Sequence, residues 1–318
     1  CRSENRDSDF VTLTGAWEIS NARRYFYLRV SSRAGRRSLM HRLRASILAT
    51  GLMLTAPLFA QTLAPERVLN DVNVLADSCT QASDSRQAFD SAALTRALSS
   101  PERDVTDFLR DETRKPVQTL EFLALERGMR VLDLYAAGGY YTVVLSQAVG
   151  ESGCVFAQNT QRGRAFIEDR QAITQGEALD TKIRTANLNN VTQLIAPTTS
   201  LDIAPESLDF ILLTLTLHDY ANPNPQRARE LLTMLYSLLK AGGILGISDH
   251  VGDEGNDNHA LHRMPEQQAI ALALEAGFEV TSSDLLRVHS DDHSRSVFDP
   301  RLARITDRFL LRLLKPAR

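Results

Sequence analysis

Residues 131–142 read VLDLYAAGGYYT, and this stretch decides the fold. It begins as a buried apolar strand, passes through a tight turn at 135–140 and enters a helix. Such a turn places backbone N–H groups and the positive end of a helix at the carboxyl edge of a parallel sheet. The stretch therefore predicts a ligand site at that edge.

Two common nucleotide-binding patterns are missing from the turn. Tyr135, Ala137 and Tyr140 stand where the GxGxxG pattern of dinucleotide-binding proteins requires glycine, and the phosphate-binding pattern GxxxxGK followed by Ser or Thr is missing as well. The sequence therefore disfavours a dinucleotide or a nucleoside triphosphate as the ligand.

Further apolar runs follow, and they alternate with segments of helical periodicity. The strand-like runs lie at 155–158, 191–196, 208–215 and 243–250, a pattern that predicts a mostly parallel sheet covered on both faces. Two helices are predicted within 85–112, a third from Pro116, and a crossover helix from Pro225 that continues through Lys240 and ends at Gly242. Two strands in a hairpin close the chain.

The turn resembles motif I of the class I S-adenosylmethionine-dependent methyltransferases, and above all their isoaspartyl-repair branch. Asp133 is followed after four residues by Gly138, Gly139 and Tyr140, and then by Thr142. The chain departs from the motif where Tyr135 and Ala137 replace two of its three glycines.

The nearest resemblance is to a proteobacterial group of exported predicted methyltransferases. It rests on RKP at 114–116, AQN at 157–159, HDY at 218–220, DH at 249–250 and LHR at 261–263, and it covers about 95–316. It implies a Rossmann-like α/β fold with a seven-stranded, mostly parallel sheet, an antiparallel last strand, helices on both faces and additional N-terminal helices. It also implies S-adenosyl-L-methionine as the cofactor, but no known substrate.

The resemblance assigns the cofactor to residues at the first two strand ends. Asp133 would orient the loop amides and the methionine ammonium, or it caps the loop. Gly139 gives the close backbone approach, and Asn159 stands where Asp or Glu accepts the ribose hydroxyls, although it is equally suited to a turn. The predicted cofactor-binding residues are Asp133, Ala137, Gly138, Gly139 and Asn159.

The acceptor side is predicted from residues that follow the fourth and fifth strands. His218 and Asp219 end one of them and His250 the other, and a histidine is a neutral base near pH 7. We therefore predict His218, His250 and Asp219 as catalytic, with either histidine assisting deprotonation. The predicted substrate contacts are Tyr220, His262 and Arg263, each with a structural alternative.

The same region resembles a metal cluster. His259 and His262 are three residues apart, which would put them on one face of a helix, and acids surround them. The other members would be Asp249, His250, Asp253 and Asp257. We favour a polar lid and predict no metal here.

The first sixty residues differ from the remainder and predict export. Residues 1–39 precede the first methionine and are interpreted as upstream translation or an extended leader. Residues 40–60 carry basic residues, then the apolar run 45–60, which is shorter than the roughly 20 residues of a membrane span. We predict a signal peptide and a periplasmic or secreted protein, with membrane attachment only through an uncleaved leader. An N-terminal segment with helices would follow at 61–115 and the methyltransferase domain at 116–318.

Residues 61–318 carry 26 basic and 35 acidic side chains, a formal charge of −9, which argues against a nucleic-acid partner. The predicted function is methyl transfer to an unidentified small molecule or protein. The alternative is an exported, non-catalytic small-molecule-binding protein that kept the fold. An oxidising compartment would permit a disulfide between Cys79 and Cys154, but Cys154 lies in a predicted buried strand, so free thiols are expected.

Overall fold

The computed structural model describes Cys79 and residues 86–161, 166–168 and 171–317. The predicted leader at 1–39, the signal peptide at 40–60 and, apart from Cys79, the segment up to residue 85 lie outside the described residues. No described helix is long and apolar enough to cross a membrane.

Helices and strands alternate along most of the described chain. The helices are α1 (Ser91–Leu98), α2 (Val105–Arg114), α3 (Pro116–Phe122), α4 (Tyr140–Val149), α5 (Gln175–Thr185), α6 (Leu217–Ala221), α7 (Pro225–Leu238), α8 (Asn258–Leu261) and α9 (Glu266–Glu275). The strands are β1 (Arg130–Leu134), β2 (Cys154–Asn159), β3 (Phe166–Glu168), β4 (Gln171–Ile173), β5 (Val191–Ile195), β6 (Leu208–Thr214), β7 (Leu239–His250), β8 (Glu279–Ser283) and β9 (Arg308–Leu314).

Seven strands form one sheet in the order β5-β2-β1-β6-β7-β9-β8. The pairs from β5 to β7 are parallel, whereas β9 runs antiparallel to both β7 and β8. From β1 the chain continues to β2 on one side of the sheet and later to β6 on the other side. The carboxyl ends of β1 and β6 therefore flank a switch point, which is where open α/β sheets bind their ligands. The predicted seven-stranded sheet with an antiparallel last strand is confirmed.

Alternate residues of the strands feed two separate hydrophobic cores. In β1, Leu132 packs on one face of the sheet and Val131 on the other; in β6, Ile211 and Phe210 divide in the same way. Helices α7 and α9 cover the first face, and α3 and α4 cover the second. Burial on both faces is why the strands read as continuous apolar runs rather than as an alternating pattern.

The crossover helix is shorter than predicted. Helix α7 ends at Leu238, and β7 begins at Leu239 with Lys240 already in the strand. Gly242 keeps a left-handed backbone with φ of 77°, but it lies within β7, where its N–H donates to the carbonyl of Lys315. The prediction that Gly242 ends the crossover helix was therefore wrong. Residues 239–243 belong to β7 instead, and Gly242 and Gly243 pair with Lys315 near the end of the chain.

The prediction of free thiols was also wrong. Cys79 and Cys154 form a disulfide with their Cα atoms 5.5 Å apart, and both residues are buried. The bond ties the residue at the start of β2 to a residue 75 positions earlier in the chain. Burial of Cys154 in a strand did not exclude the bond, because its partner is buried at the same place.

Candidate functional site

A cavity of about 720 Å³ opens at the carboxyl ends of β1 and β6, within the range of small-molecule sites. Its wall combines the turn after β1, residues between the end of β6 and the end of α6, and one side of α2 and α5. Predicted site residues on this wall are Asp133, Ala137, Gly138, Asp219 and Tyr220.

The turn after β1 keeps a glycine-type backbone although two of its glycines are replaced. Tyr135 has φ of 57°, Ala137 of 51° and Gly139 of 87°. The left-handed conformation costs an L-residue about 1–2 kcal/mol, so Tyr135 and Ala137 hold it against their own preference. The turn therefore has left-handed residues at all three positions, although only residue 139 is a glycine.

The two remaining glycines have different surroundings. A Cβ at Gly138 would meet no atom within 4 Å, and Gly138 lies on the cavity wall. A Cβ at Gly139 would come within 2.7 Å of Leu179 Cδ1 in α5. The close approach predicted for Gly139 is thus made to a neighbouring helix, and Gly138 is the glycine that faces the cavity.

Asn159 braces the turn instead of facing the cavity. Its Oδ1 accepts from the N–H of Ala137 at 2.9 Å, its Nδ2 donates to the carbonyl of Ala137 at 3.0 Å, and the residue is fully buried. The preceding Gln158 accepts from the N–H of Tyr135 at 3.1 Å. This placement differs from the predicted ribose contact, because both polar atoms of the amide are already bonded to the turn.

Asp133 lies at the end of β1, buried yet on the cavity wall. Its Oδ2 accepts from the hydroxyl of Thr142 at 2.6 Å. Burial raises the pKa of Asp133 to about 7, against the opposing effects of the Thr142 hydrogen bond and the Arg114 charge. A cationic group in the cavity would stabilise its charged form, so the site is suited to an ammonium.

On the other side of β1, the carboxylate of Asp249 holds His218. Its Oδ1 bonds His218 Nδ1 at 2.8 Å and its Oδ2 accepts from the His218 backbone N–H at 2.9 Å. Oδ1 also accepts from the backbone N–H of His250, and Asp249 is fully buried. A carboxylate on Nδ1 fixes the ring and directs Nε2 away from it. Asp249 is therefore a positioning residue.

The Nε2 of His218 points toward Asp219 and His262. It lies 3.4 Å from Oδ1 of Asp219, and the same oxygen lies 3.6 Å from Nδ1 of His262. The rings of His218 and His262 meet edge to face with centroids 5.5 Å apart. Asp219 belongs to the cavity wall, so this group reaches the cavity through that carboxylate.

His250 lies behind this group and is not among the residues of the cavity wall. Its Nδ1 bonds the hydroxyl of Thr306 at 2.9 Å, and its ring centroid is 6.2 Å from that of His218. Burial and the nearby Arg308 guanidinium hold the pKa of His250 well below its usual range. Its placement differs from the predicted catalytic role, because a neutral, buried ring has no access to a substrate in the cavity.

Arg263 is buried and is not among the residues of the cavity wall, a placement that differs from the predicted substrate contact. Its side chain is fully buried, with Nη2 bonded to both carboxylate oxygens of Asp291 at 3.0 and 2.9 Å. Nη1 donates to the carbonyl of Val251 and Nε to that of Arg295. The guanidinium thus links three segments and does not face the cavity.

Of the two histidines that were compared with a metal cluster, only His262 lies beside other polar site residues, namely His218 and Asp219. His259 is exposed on α8, whereas His262 follows that helix with φ of 54° and stacks edge to face on Phe298. Asp253 pairs elsewhere, with His293. The turn out of α8 separates the two histidines that the spacing placed on one helical face.

Other wall residues were missed by the sequence reasoning, among them Tyr135. Its hydroxyl shares a hydrogen bond with that of the predicted residue Tyr220, and Thr198, behind the wall, adds one to Tyr220 at 3.2 Å. Basic side chains from four separate segments also line the cavity: Arg110 and Arg114 from α2, Lys182, Arg227 and Arg304. The RKP motif singled out Arg114, but no local pattern indicated that α2 closes over the turn.

The strand order and the site at the carboxyl edge define a Rossmann-like fold of the class I methyltransferase type. A sequence model of the family described as protein-L-isoaspartate(D-aspartate) O-methyltransferase matches residues 115–186, which run from α3 through α5. A comparison with curated proteins found no match.

Solved structures with similar folds include a SAM-dependent methyltransferase from Aquifex aeolicus. It is 21% identical, with 71% of this chain and 99% of that chain covered and a TM-score of 0.47. The cyclase SpnF is 18% identical, with 79% of this chain and 94% of SpnF covered and a TM-score of 0.49. An arsenic (III) S-adenosylmethionine methyltransferase from Chlamydomonas reinhardtii is 18% identical, with 60% and 64% covered and a TM-score of 0.39. The fold assignment rests on the strand order itself.

Proposed function

We propose that the protein transfers a methyl group from S-adenosyl-L-methionine to an unidentified small molecule or protein. The observation that carries the proposal is the turn after β1, which keeps the three left-handed residues at 135, 137 and 139 despite the loss of two glycines. Left-handed non-glycine residues are retained where the surrounding structure imposes them, commonly at ligand sites.

The residues present fit this cofactor. Gly138 leaves open space above the turn, and Asp133 offers a buried carboxylate to the amino group of the methionine part. Ala137 and Thr160 continue the wall toward β2. The cofactor supplies an electrophilic methyl group when bound; the protein has to orient it, exclude water and activate the acceptor.

The acceptor is activated on the opposite side of the same cavity. Asp249 bonds His218 through Nδ1, and Nε2 is the ring atom that faces Asp219 on the wall. Tyr220 adds a hydroxyl next to Asp219, supported by the ring of Tyr135 at a centroid distance of 6.2 Å. The cavity therefore has a cofactor side at the end of β1 and an acceptor side at the end of β6.

We further propose that the protein is exported. The basic and apolar pattern at 40–60 supports a signal peptide, and the disulfide between Cys79 and Cys154 supports an oxidising compartment, where such bonds persist. N-terminal sequencing of the protein recovered from the periplasm or the medium tests this. A start between about 61 and 65 is expected, and an intact residue 40 would contradict export by cleavage.

Calorimetric titration with S-adenosylhomocysteine tests the cofactor assignment. We expect micromolar binding by the wild type and its loss in Gly138→Arg, which fills the cavity from a position where a Cβ has no close neighbour. Gly138→Ala is the matched control and should bind within about twofold of the wild type. Absence of heat at millimolar ligand would refute the proposal.

Gly139→Arg is a poorer test of the same point. The added side chain would collide with Leu179 in α5, and its backbone would be strained at φ of 87°. Loss of binding in that variant would report a displaced helix as well as a blocked cavity. Comparing the unfolding midpoints of both arginine variants separates the two effects, since only Gly139→Arg should destabilise the protein.

A further inference from the structure

We propose that His218, Asp219 and His262 form a binding site for one divalent transition-metal ion of the Zn²⁺ class at the acceptor side of the cavity. One ligand atom from each residue lies within 4.8 Å of the others. The inference deepens the proposed function, because it replaces proton removal by His218 with activation of the acceptor on the ion. The binding of the ion does not depend on methyl transfer.

Two of the three separations between ligand atoms match a coordination shell. Oδ1 of Asp219 lies 3.4 Å from His218 Nε2 and 3.6 Å from His262 Nδ1. Metal–ligand bonds of about 2.0–2.1 Å in a tetrahedral site separate neighbouring ligand atoms by about 3.3–3.4 Å. The two imidazoles complete the group within 4.8 Å. Binding of an ion therefore requires the two rings to come no further apart than they are, with Asp219 already at the distance of a shared ion.

Asp249 supplies the support that metal-binding histidines usually have. A ligand histidine typically donates its second ring N–H to a carboxylate or carbonyl, which fixes its tautomer and orientation. Asp249 accepts at 2.8 Å from Nδ1 of His218, and it is itself held by the backbone N–H groups of His218 and His250. This arrangement leaves Nε2 of His218 as the ligand atom.

The segment that carries His262 is fastened to the helix that carries the other two ligands. Asn222, just after α6, donates through Nδ2 to the carbonyls of Asn258 at 3.1 Å and Arg263 at 2.8 Å. The buried pair between Arg263 and Asp291 holds the residue next to His262 in place. The three ligands are therefore brought together before any ion binds.

The donor set indicates the kind of ion and its use. Two imidazoles and one carboxylate suit Zn²⁺ and its transition-metal neighbours better than Mg²⁺ or Ca²⁺, which prefer oxygen. Three protein ligands leave a fourth position for an exchangeable molecule. Because Asp219 is on the cavity wall, that position is suited to an acceptor hydroxyl or thiol, whose pKa the ion would lower.

The test is Zn²⁺ binding by the chelator-treated full-length protein, measured by competition with a chromogenic chelator. We expect one ion per chain, and we expect His262→Ala and Asp219→Asn each to weaken binding by at least about tenfold. Asp249→Asn, which keeps all three ligands and alters the residue that orients His218, should weaken it by about 10–100-fold. His259→Ala is the matched control, because His259 lies on α8 just before His262 and is exposed, so its removal should leave the affinity unchanged.

Absence of stoichiometric Zn²⁺ binding by the wild type would overturn the proposal, as would equal losses in His259→Ala and His262→Ala. Titration of the same preparations with S-adenosylhomocysteine keeps the two proposals apart. Cofactor binding without Zn²⁺ binding refutes the metal site alone. Zn²⁺ binding without cofactor binding supports the metal site and refutes the methyl transfer.

Discussion

The two sides of the cavity are built differently. On the cofactor side, the turn after β1 is shaped by its backbone, with Tyr135 and Ala137 in left-handed conformations that a glycine would adopt freely. On the acceptor side, Leu215 and His262 are also left-handed, but His218 itself is held by one buried carboxylate. Asp249 bonds the ring and the backbone N–H of His218 and the backbone N–H of His250. The cofactor side therefore depends mainly on the conformation of its turn, and the position of His218 depends on a polar network.

This difference teaches where substitutions can be tolerated. A strained turn can accept new side chains as long as its neighbours keep its path, and here Asn159 and Gln158 bond its backbone directly. A buried network depends on each member, because removing one leaves the others without partners. The acceptor side should therefore be the more sensitive of the two.

The largest effect is expected from Asp249→Ala. Three donors would lose their acceptor: Nδ1 and the backbone N–H of His218 and the backbone N–H of His250. At about 1–3 kcal/mol for each buried donor, the free energy of unfolding should fall by about 3 kcal/mol or more. Urea denaturation measures it. The exposed carboxylate in Asp253→Ala is the control, with an expected loss below about 1 kcal/mol.

Asn159→Asp distinguishes a brace from a ribose contact. An aspartate keeps an acceptor for the N–H of Ala137, but it cannot donate to the carbonyl of Ala137 and it buries a charge. We expect the protein to lose about 1–3 kcal/mol of stability and to bind S-adenosylhomocysteine more weakly. Tighter binding by the variant would show that residue 159 contacts the ribose and would contradict the brace.

Asp133 should make cofactor affinity depend on pH. Its pKa is raised to about 7 in the free protein, and a bound ammonium favours the carboxylate. Affinity for S-adenosylhomocysteine should therefore fall as pH drops below 7, by at most about tenfold per pH unit. Calorimetry between pH 5.5 and 8 measures this. Asp133→Asn should bind S-adenosylhomocysteine weakly and with a flatter pH profile. A pH profile identical to that of the wild type would show that Asp133 does not contact the ligand.

The same shift affects stability in the opposite sense. A carboxyl group whose pKa is raised by folding stabilises the folded state while it is protonated, so its contribution is present below about pH 4 and is lost as pH rises toward 7. The unfolding free energy of the wild type should therefore fall relative to that of Asp133→Asn as pH rises over this range. A constant difference would indicate an ordinary pKa for Asp133.

The smallest effect is expected from Ala137→Gly. Glycine relieves the left-handed strain at φ of 51° but adds backbone entropy to the unfolded chain, so the variant should be more stable by no more than about 1 kcal/mol. Ala148→Gly inside α4 is the control and should lose about 1 kcal/mol or more. A marked loss of stability in Ala137→Gly would mean that the turn is not strained.

Much of the fold could be predicted from sequence because its strands are buried on both faces. Apolar runs of this kind predict a mostly parallel sheet with a site at its carboxyl edge, and the family resemblance carried by the motifs at the strand ends implies the seven strands. The strand ends at Asp133, His218 and Asp249 were placed correctly at the carboxyl edge. These features depend on local periodicity and on rules of connectivity.

The remaining features depend on which distant segments meet. Asn159 bonds a residue 22 positions earlier, Arg263 pairs with a residue 28 positions later, and Cys79 bonds a residue 75 positions away. The residue type of such a side chain does not distinguish a functional role from a structural one. Asp219 and His262, which are 43 positions apart, were predicted separately, and only the turn out of α8 brings them together.

The most direct test of the two-sided cavity is a crystal structure of the full-length protein with S-adenosylhomocysteine. We predict density against Ala137 and Gly138, with the amino group at Asp133 and the sulfur directed toward Asp219. Ligand bound elsewhere, or an empty cavity in crystals soaked at millimolar ligand, would contradict the assignment of the cofactor to the turn after β1.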